Sequence, residues 1–290
     1  MDNAATVRSV VTDAMSRLEP KYGHGEAQAM VRFIFENLKG WSAVDLVIRQ
    51  EDTLSDFIAG KVSDVVKRLL NDEPIQLIFG VADFYGMKLK VTGATLIPRP
   101  ETAELVDIIV KDNRQKDLRV LDAGTGSGCI AIALARNLPF AEVTAIDLST
   151  AALAVAKENA QQLHCQINFK VADILELPKV SLPGAPFDIL VSNPPYITVR
   201  EKADMDRNVL GYEPSSALFV PDDDPLRFYT PLLKAAADGL VVPGGKVYFE
   251  INPLYAGDLR QQANRLGFDD VAILRDSYGK NRFLSAVRPT

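Results

Sequence analysis

The chain has 290 residues, 47% of them hydrophobic, a formal net charge of −6 and two cysteines. That length supports one large domain or a large one beside a small one, while the surplus of acid argues against the phosphate-neutralising face that nucleic acids require. Cys129 and Cys165 are too few and too isolated for a disulfide framework or a zinc site, which fits a reducing compartment.

No apolar run approaches the roughly eighteen residues of a membrane helix, and "MDNAATVRSV" lacks the basic start and apolar block of a secretory leader, so a cytoplasmic protein is expected. His24 and His164, the only histidines, are read as helix-surface residues, with no metal site.

From Asn3 to about Leu70 apolar residues recur at helical spacing, as in "AQAMVRFIFENL" and "VSDVVKRLL", punctuated by Gly23, Gly25 and Gly40. Residues 1–75 are read as a small helical bundle. The next stretch, "FGVADFYGMKLKVTGATLIPRPET", alternates around Gly86 and Gly93 as a β-hairpin does, and residues 76–98 are read as a linker.

Beyond it, residues 99–290 alternate short apolar strands with helices: "LRVLDAG", "CIAIALARNL", "EVTAIDL", "TAALAVAKENAQQL", "INFKVAD" and "FDILVSN". Such alternation predicts an α/β domain with a parallel, doubly wound sheet. "GGKVYFEIN" supplies a fifth strand. "FDDVAILRD" and "RFLSAVR", with no helix between them, are expected to pair antiparallel at one edge.

In "VLDAGTGSGCIAIALA", Gly124, Thr125, Gly126, Ser127 and Gly128 lie between a strand and a helix, where missing side chains let a nucleotide-like ligand approach the backbone. Asp147 ends the next strand, where its carboxylate can accept from both ribose hydroxyls, and Asp173 ends the third, within reach of an adenine edge. The spacing is Gly-x-Gly-x-Gly; a dinucleotide fingerprint reads Gly-x-Gly-x-x-Gly and cradles a pyrophosphate. Asp122, just before the loop, suits a cation better than a pyrophosphate. Together these favour S-adenosylmethionine, with S-adenosylhomocysteine as its product.

"VSNPPYI" closes the fourth strand with an amide, two prolines and an aromatic. Prolines 194 and 195 stiffen the segment and leave carbonyls, with the Asn193 side-chain oxygen, free to accept hydrogen bonds. A planar amino group could give one hydrogen to Asn193 and one to the Pro194 carbonyl, with Tyr196 stacked on its plane. Orientation alone can supply about 7–11 kcal/mol of a bimolecular barrier, so no separate base is needed. A carboxylate in the same place would leave two acceptors unpaired, at about 1–3 kcal/mol each.

"LIPRPET", "VLDAGTGSG", "AIDLS", "SNPPYI" and "YEPSSAL" occur in the order and spacing of the HemK/PrmC family, which the chain resembles over nearly its whole length. These are protein-(glutamine-N5) methyltransferases acting on peptide chain release factors. The resemblance implies a seven-stranded class I, Rossmann-like methyltransferase domain, and a helical domain that holds the release factor. It places Gly124 to Gly128, Asp147 and Asn193 at S-adenosylmethionine and Asn193 to Tyr196 at the glutamine of a Gly-Gly-Gln motif. Ile174 stands where relatives often set an aromatic ring against the adenine, and Asn252 and Pro253 stand where relatives continue the Glu-Ile with glycine.

Arg99, in the stiff strap between Pro98 and Pro100, is a candidate at the substrate mouth, and Glu213 a candidate for ordering a lid. A monomer acting on a protein partner is expected, without nucleic acid or membrane. The alternatives are an adenine-N6 methyltransferase of nucleic acid, which would also present a planar amino group, and a non-catalytic module that senses the cofactor.

Overall fold

A computed structural model describes residues 5–179 and 181–290, and the chain divides into two compact units. One runs to Gly80 and includes Asp206–Tyr212; the other comprises Val81–Met205 and Glu213–Thr290.

The first unit is helical, with α1 (Val7–Tyr22), α2 (His24–Lys39), α3 (Ala43–Ile48), α4 (Asp56–Leu70) and α5 (Ile75–Phe79). Thr6 starts α1 by accepting the Ser9 N–H at 3.2 Å, and Ser42 and Asp45 form a reciprocal capping box at α3. Gly40 ends α2 in the left-handed region at φ 68°, which only glycine adopts without strain. The amphipathic faces bury Leu18, Ile34, Phe35, Val66 and Leu69 in one core. Trp41, the chain's single tryptophan, stacks on Phe35 with ring centroids 5.9 Å apart, flanked by Lys39 and Arg49.

The second unit opens with a hairpin, β1 (Val81–Phe84) and β2 (Met87–Lys90). Its two-residue turn, Tyr85 and Gly86, has positive φ at both positions, the twist that suits antiparallel neighbours. Then come α6 (Pro100–Asp112), β3 (Arg119–Ala123), α7 (Cys129–Asn137), β4 (Glu142–Asp147), α8 (Thr150–Gln162), β5 (Ile167–Val171), β6 (Phe187–Ser192) and β7 (Ile197–Thr198). The short α9 (Arg207–Tyr212) belongs to the first unit, where the Tyr212 hydroxyl donates to the Asn71 carbonyl at 3.0 Å. The chain closes with β8 (Phe219–Val220), α10 (Tyr229–Ala235), β9 (Val241–Glu250), α11 (Ala256–Arg265), β10 (Asp269–Arg275) and β11 (Asn281–Val287).

Seven strands form one sheet in the order β10-β11-β9-β6-β3-β4-β5. The pairs from β9 to β5 are parallel, and β11 lies antiparallel to both β9 and β10, so the expected edge pair is there. Alternate residues serve opposite faces. Val120, Ile189 and Val191 pack on the side of α7, while Leu121, Leu190 and Phe249 pack on the side of α10.

Two buried polar residues tie this unit together. Asn159 of α8 is fully buried; its amide bonds the backbone N–H and carbonyl of Lys90 on the hairpin and the carbonyl of Ser127. Asp122 of β3 is also fully buried, accepting from the Thr125 hydroxyl at 2.6 Å and the Ala131 N–H at 3.1 Å, while its Oδ1 has no partner among the described residues. Burial pushes the Asp122 carboxyl up to about 7.

Asn159→Ala leaves one buried and two part-buried backbone groups unmet, at about 1–3 kcal/mol for the one that water cannot reach, and should lower the midpoint of urea unfolding without changing the fold's circular dichroism. Asp122 gives a pH signature. Its folded pKa lies above the unfolded value, so its stabilising contribution is present below about pH 4 and lost as pH rises through about 7. Relative to Asp122→Asn, the ligand-free protein should lose unfolding free energy between these limits, by at most about 1.4 kcal/mol per pH unit, and run parallel above pH 8.

Candidate active site

The chain pairs β3 with β4, β4 with β5, and then crosses back to lay β6 on the other side of β3. At such a switch point the loops leaving adjacent strands part and open a crevice at their carboxyl ends. A cavity of about 340 Å³ lies there, lined by the loop after β3, the ends of β4 and β5, and the segment after β6.

Gly124, Thr125, Gly126, Ser127, Asp147, Asp173, Ile174 and Asn193 all line it. Gly128 does not: at φ 83° its missing Cβ would lie 3.1 Å from Ala156 Cβ, so it lets α8 approach α7. The amides of Gly124, Thr125, Gly126 and Gly128 are committed internally. Those of Gly124 and Thr125 both donate to the Ile146 carbonyl at 2.9 Å, and that of Gly126 donates to Asp147 Oδ2 at 2.9 Å. Asp147 Oδ1 accepts the Ser149 N–H at 2.8 Å, so each oxygen keeps one lone pair for a hydroxyl.

Beyond β6, the Ser192 hydroxyl donates to the Ala123 carbonyl at 2.6 Å and joins the exits of the two central strands. Asn193 and Pro195 face the cavity; Pro194 is buried, Tyr196 half-buried, and neither lines it. Asn193 Nδ2 donates to the Thr102 hydroxyl at 3.2 Å, and that hydroxyl donates to Glu250 Oε2 at 2.7 Å. The Tyr196 phenol donates to Glu250 Oε1 at 3.0 Å. Burial raises the Glu250 carboxyl, opposed by the Thr102 and Tyr196 hydrogen bonds and the charge of Arg282. Burial and the Glu250 charge hold the Tyr196 phenol well above its ordinary value, so it stays protonated.

Arg99, the N-cap of α6, does not line the cavity. It pairs with Glu213, whose side chain is 1% exposed and also accepts the Ile97 N–H at 2.9 Å. This pair binds the strap holding Leu96 and Pro98 to the loop holding Pro214, Ser216 and Ala217, all on the cavity wall. Asn252, at the departure from the family pattern, donates to the Tyr196 carbonyl at 3.0 Å and to both Glu201 oxygens, and so holds the exit of the proline segment. Thr102 closes "LIPRPET" and lines the cavity, and its partner Glu250 lies 148 positions further along the chain, beyond the reach of any local sequence signal.

The described residues lining the cavity include two carboxylates, Asp147 and Asp173, and neither Lys nor Arg. With four loop amides already bonded and no Lys or Arg among the described lining residues, the wall offers a pyrophosphate a poor cradle. A ligand with vicinal hydroxyls and a positive centre fits instead, which is the chemistry of a sulfonium nucleoside.

Residues 9–80 match the PrmC N-terminal domain and residues 114–218 a methyltransferase domain. The chain is 44% identical over 271 residues to the release factor glutamine methyltransferase of Bacteroides thetaiotaomicron, covering 93% of this chain and 96% of that one. It is 38% identical over 282 residues to the protein of that name from Flavobacterium psychrophilum, covering 96% and 98%. The namesake in Streptococcus pneumoniae is 40% identical over 263 residues, covering 90% and 91%. A methyltransferase crystal structure from Pyrococcus furiosus aligns with TM-score 0.52 at 18% identity, over 79% of this chain and 100% of that one, a likeness of fold. With 38–44% identity to these three relatives over 90–96% of its length, the chain belongs to the release factor glutamine methyltransferase family.

Proposed function

We propose that this chain methylates the side-chain amide nitrogen of the glutamine in the Gly-Gly-Gln motif of a peptide chain release factor. The observation that carries it is the cavity in which a loop suited to a sulfonium nucleoside meets Asn193. S-adenosylmethionine, when bound, supplies an electrophilic methyl carbon and leaves as S-adenosylhomocysteine. Gly124 to Ser127 give it close backbone approach, Asp147 accepts from its ribose hydroxyls, and Asp173 and Ile174 flank its adenine.

An amide nitrogen is a poor nucleophile because its lone pair is conjugated, so the protein's task is orientation. Asn193 Oδ1 at the cavity wall and the Pro194 carbonyl behind it each accept one amide hydrogen, and Tyr196, half-buried and anchored through its hydroxyl, stacks on the amide plane. Neither acceptor has a hydrogen-bond partner among the described residues. Among the described residues no base stands beside them: the Tyr196 phenol stays protonated and both Glu250 oxygens accept from hydroxyls. The surplus proton therefore leaves to water.

Residues 1–75 present the release factor, and the Arg99–Glu213 pair braces the mouth. All the residues assigned come from one chain, so a monomer suffices. No helix among the described residues is long and apolar enough to cross a membrane, which accords with work in the cytoplasm on a protein substrate.

The test is incubation with methyl-labelled S-adenosylmethionine and a full-length release factor, beside a copy whose motif glutamine is alanine, with duplex DNA and RNA as further acceptors. Label should appear on the intact factor alone; label on nucleic acid alone would overturn the reading. Asn193→Ala should melt like the wild type yet lose about a hundredfold or more in kcat/KM, because an amide held by one acceptor is no longer oriented.

A further inference from the structure

Asn193 can be recognised by an amide only if its oxygen, not its nitrogen, faces the substrate, and that choice is made by what its nitrogen meets. Glu250 is 2% exposed, and each of its oxygens accepts from a hydroxyl, Oε2 from Thr102 and Oε1 from Tyr196. The Thr102 hydroxyl has one proton, and it goes to Glu250 Oε2 at 2.7 Å. Toward Asn193 the hydroxyl can then offer only a lone pair. Asn193 must meet it with Nδ2, as it does at 3.2 Å, which turns Oδ1 the other way. The Glu250 backbone is itself fixed, since the buried Tyr229 hydroxyl donates to its carbonyl at 2.8 Å.

We propose that Glu250 and Thr102 are positioning residues that set the site's preference for a carboxamide over a carboxylate, by fixing the polarity of the chain Glu250–Thr102–Asn193. The inference rests on the reading of Asn193 as an acceptor for the glutamine amide. Replacing the carboxylate by an amide removes the constraint. In Glu250→Gln the new NH₂ can donate to Thr102, whose own proton then turns toward Asn193 and allows it to present Nδ2 to the cavity. That end repels an amide nitrogen's hydrogens and welcomes a carboxylate.

The experiment compares wild type, Glu250→Gln, Thr102→Val and Thr102→Ser as full chains. Three quantities are read: kcat/KM on the intact release factor, inhibition by a full-length copy whose motif glutamine is glutamate, and S-adenosylmethionine affinity by calorimetry. Wild type should discriminate against the glutamate copy. Glu250→Gln should lose about ten- to a hundredfold in kcat/KM, bind the glutamate copy at least about tenfold more tightly, and keep its cofactor affinity. Thr102→Val should lose activity to a similar extent and Thr102→Ser should restore it, because serine keeps the hydroxyl.

Glu250→Gln or Thr102→Val with wild-type kcat/KM and wild-type discrimination would overturn the inference. So would losses of activity that track losses of cofactor affinity in both, which would mark the chain as structural support. If Glu250→Gln does not fold, the Thr102 pair decides by the same criteria. A wild-type protein that leaves the intact factor unlabelled would instead refute the functional reading itself, before any variant is compared.

Discussion

The parallel pairing of β3 with both β4 and β6 is the constraint from which the site follows. A strand with parallel neighbours on both sides receives its connections from across the sheet, so the loops leaving β3 and β6 are far apart in sequence and adjacent in space. The exit of β3 is glycine-rich and folds back on β4 through the Ile146 carbonyl. The exit of β6 is stiffened by prolines and tied to β3 by the Ser192 hydroxyl. One loop thereby offers backbone to a cofactor while the other offers acceptors to a substrate, across a gap of fixed width.

Three buried acids surround that gap, and each is satisfied differently. Glu213 meets the guanidinium of Arg99 and a backbone N–H, a charge-assisted arrangement that joins two loops. Glu250 meets two neutral hydroxyls, with Arg282 supplying only a more distant charge. Asp122 meets one hydroxyl and one N–H, keeps one oxygen unpartnered among the described residues, and is pushed by burial up to about 7. Desolvation is common to all three; the partners decide whether the result is a brace, an orienting device or a group poised near neutral pH.

Local chemistry was legible in the sequence, and long-range chemistry was not. The glycine loop, Asp147 at a strand end, and the diproline segment each declare themselves within a few residues, because backbone freedom and stiffness are properties of the local chain. The parallel, doubly wound sheet followed from alternation, and its seven strands from the family resemblance. By contrast, Thr102 and Glu250 are 148 positions apart, and Arg99 and Glu213 are 114 apart. No periodicity links them. Gly128 read as a cofactor residue because it shares a motif with its neighbours, yet its closeness to Ala156 depends on where α8 lands. Likewise Tyr196 was read for its ring, whereas its hydroxyl makes the bond that the structure shows.

Trp41 has a practical meaning for anyone following the folding of this chain. It is the only indole, it sits in the helical unit, and its ring lies against Phe35 between two cations. Its emission is therefore a spectroscopic label placed by nature on one unit alone, silent about the sheet that carries the cavity. Six of the eight tyrosines lie in the other unit, so tyrosine absorbance reports mainly on that one, and the two signals follow the two units in one sample without attaching a dye.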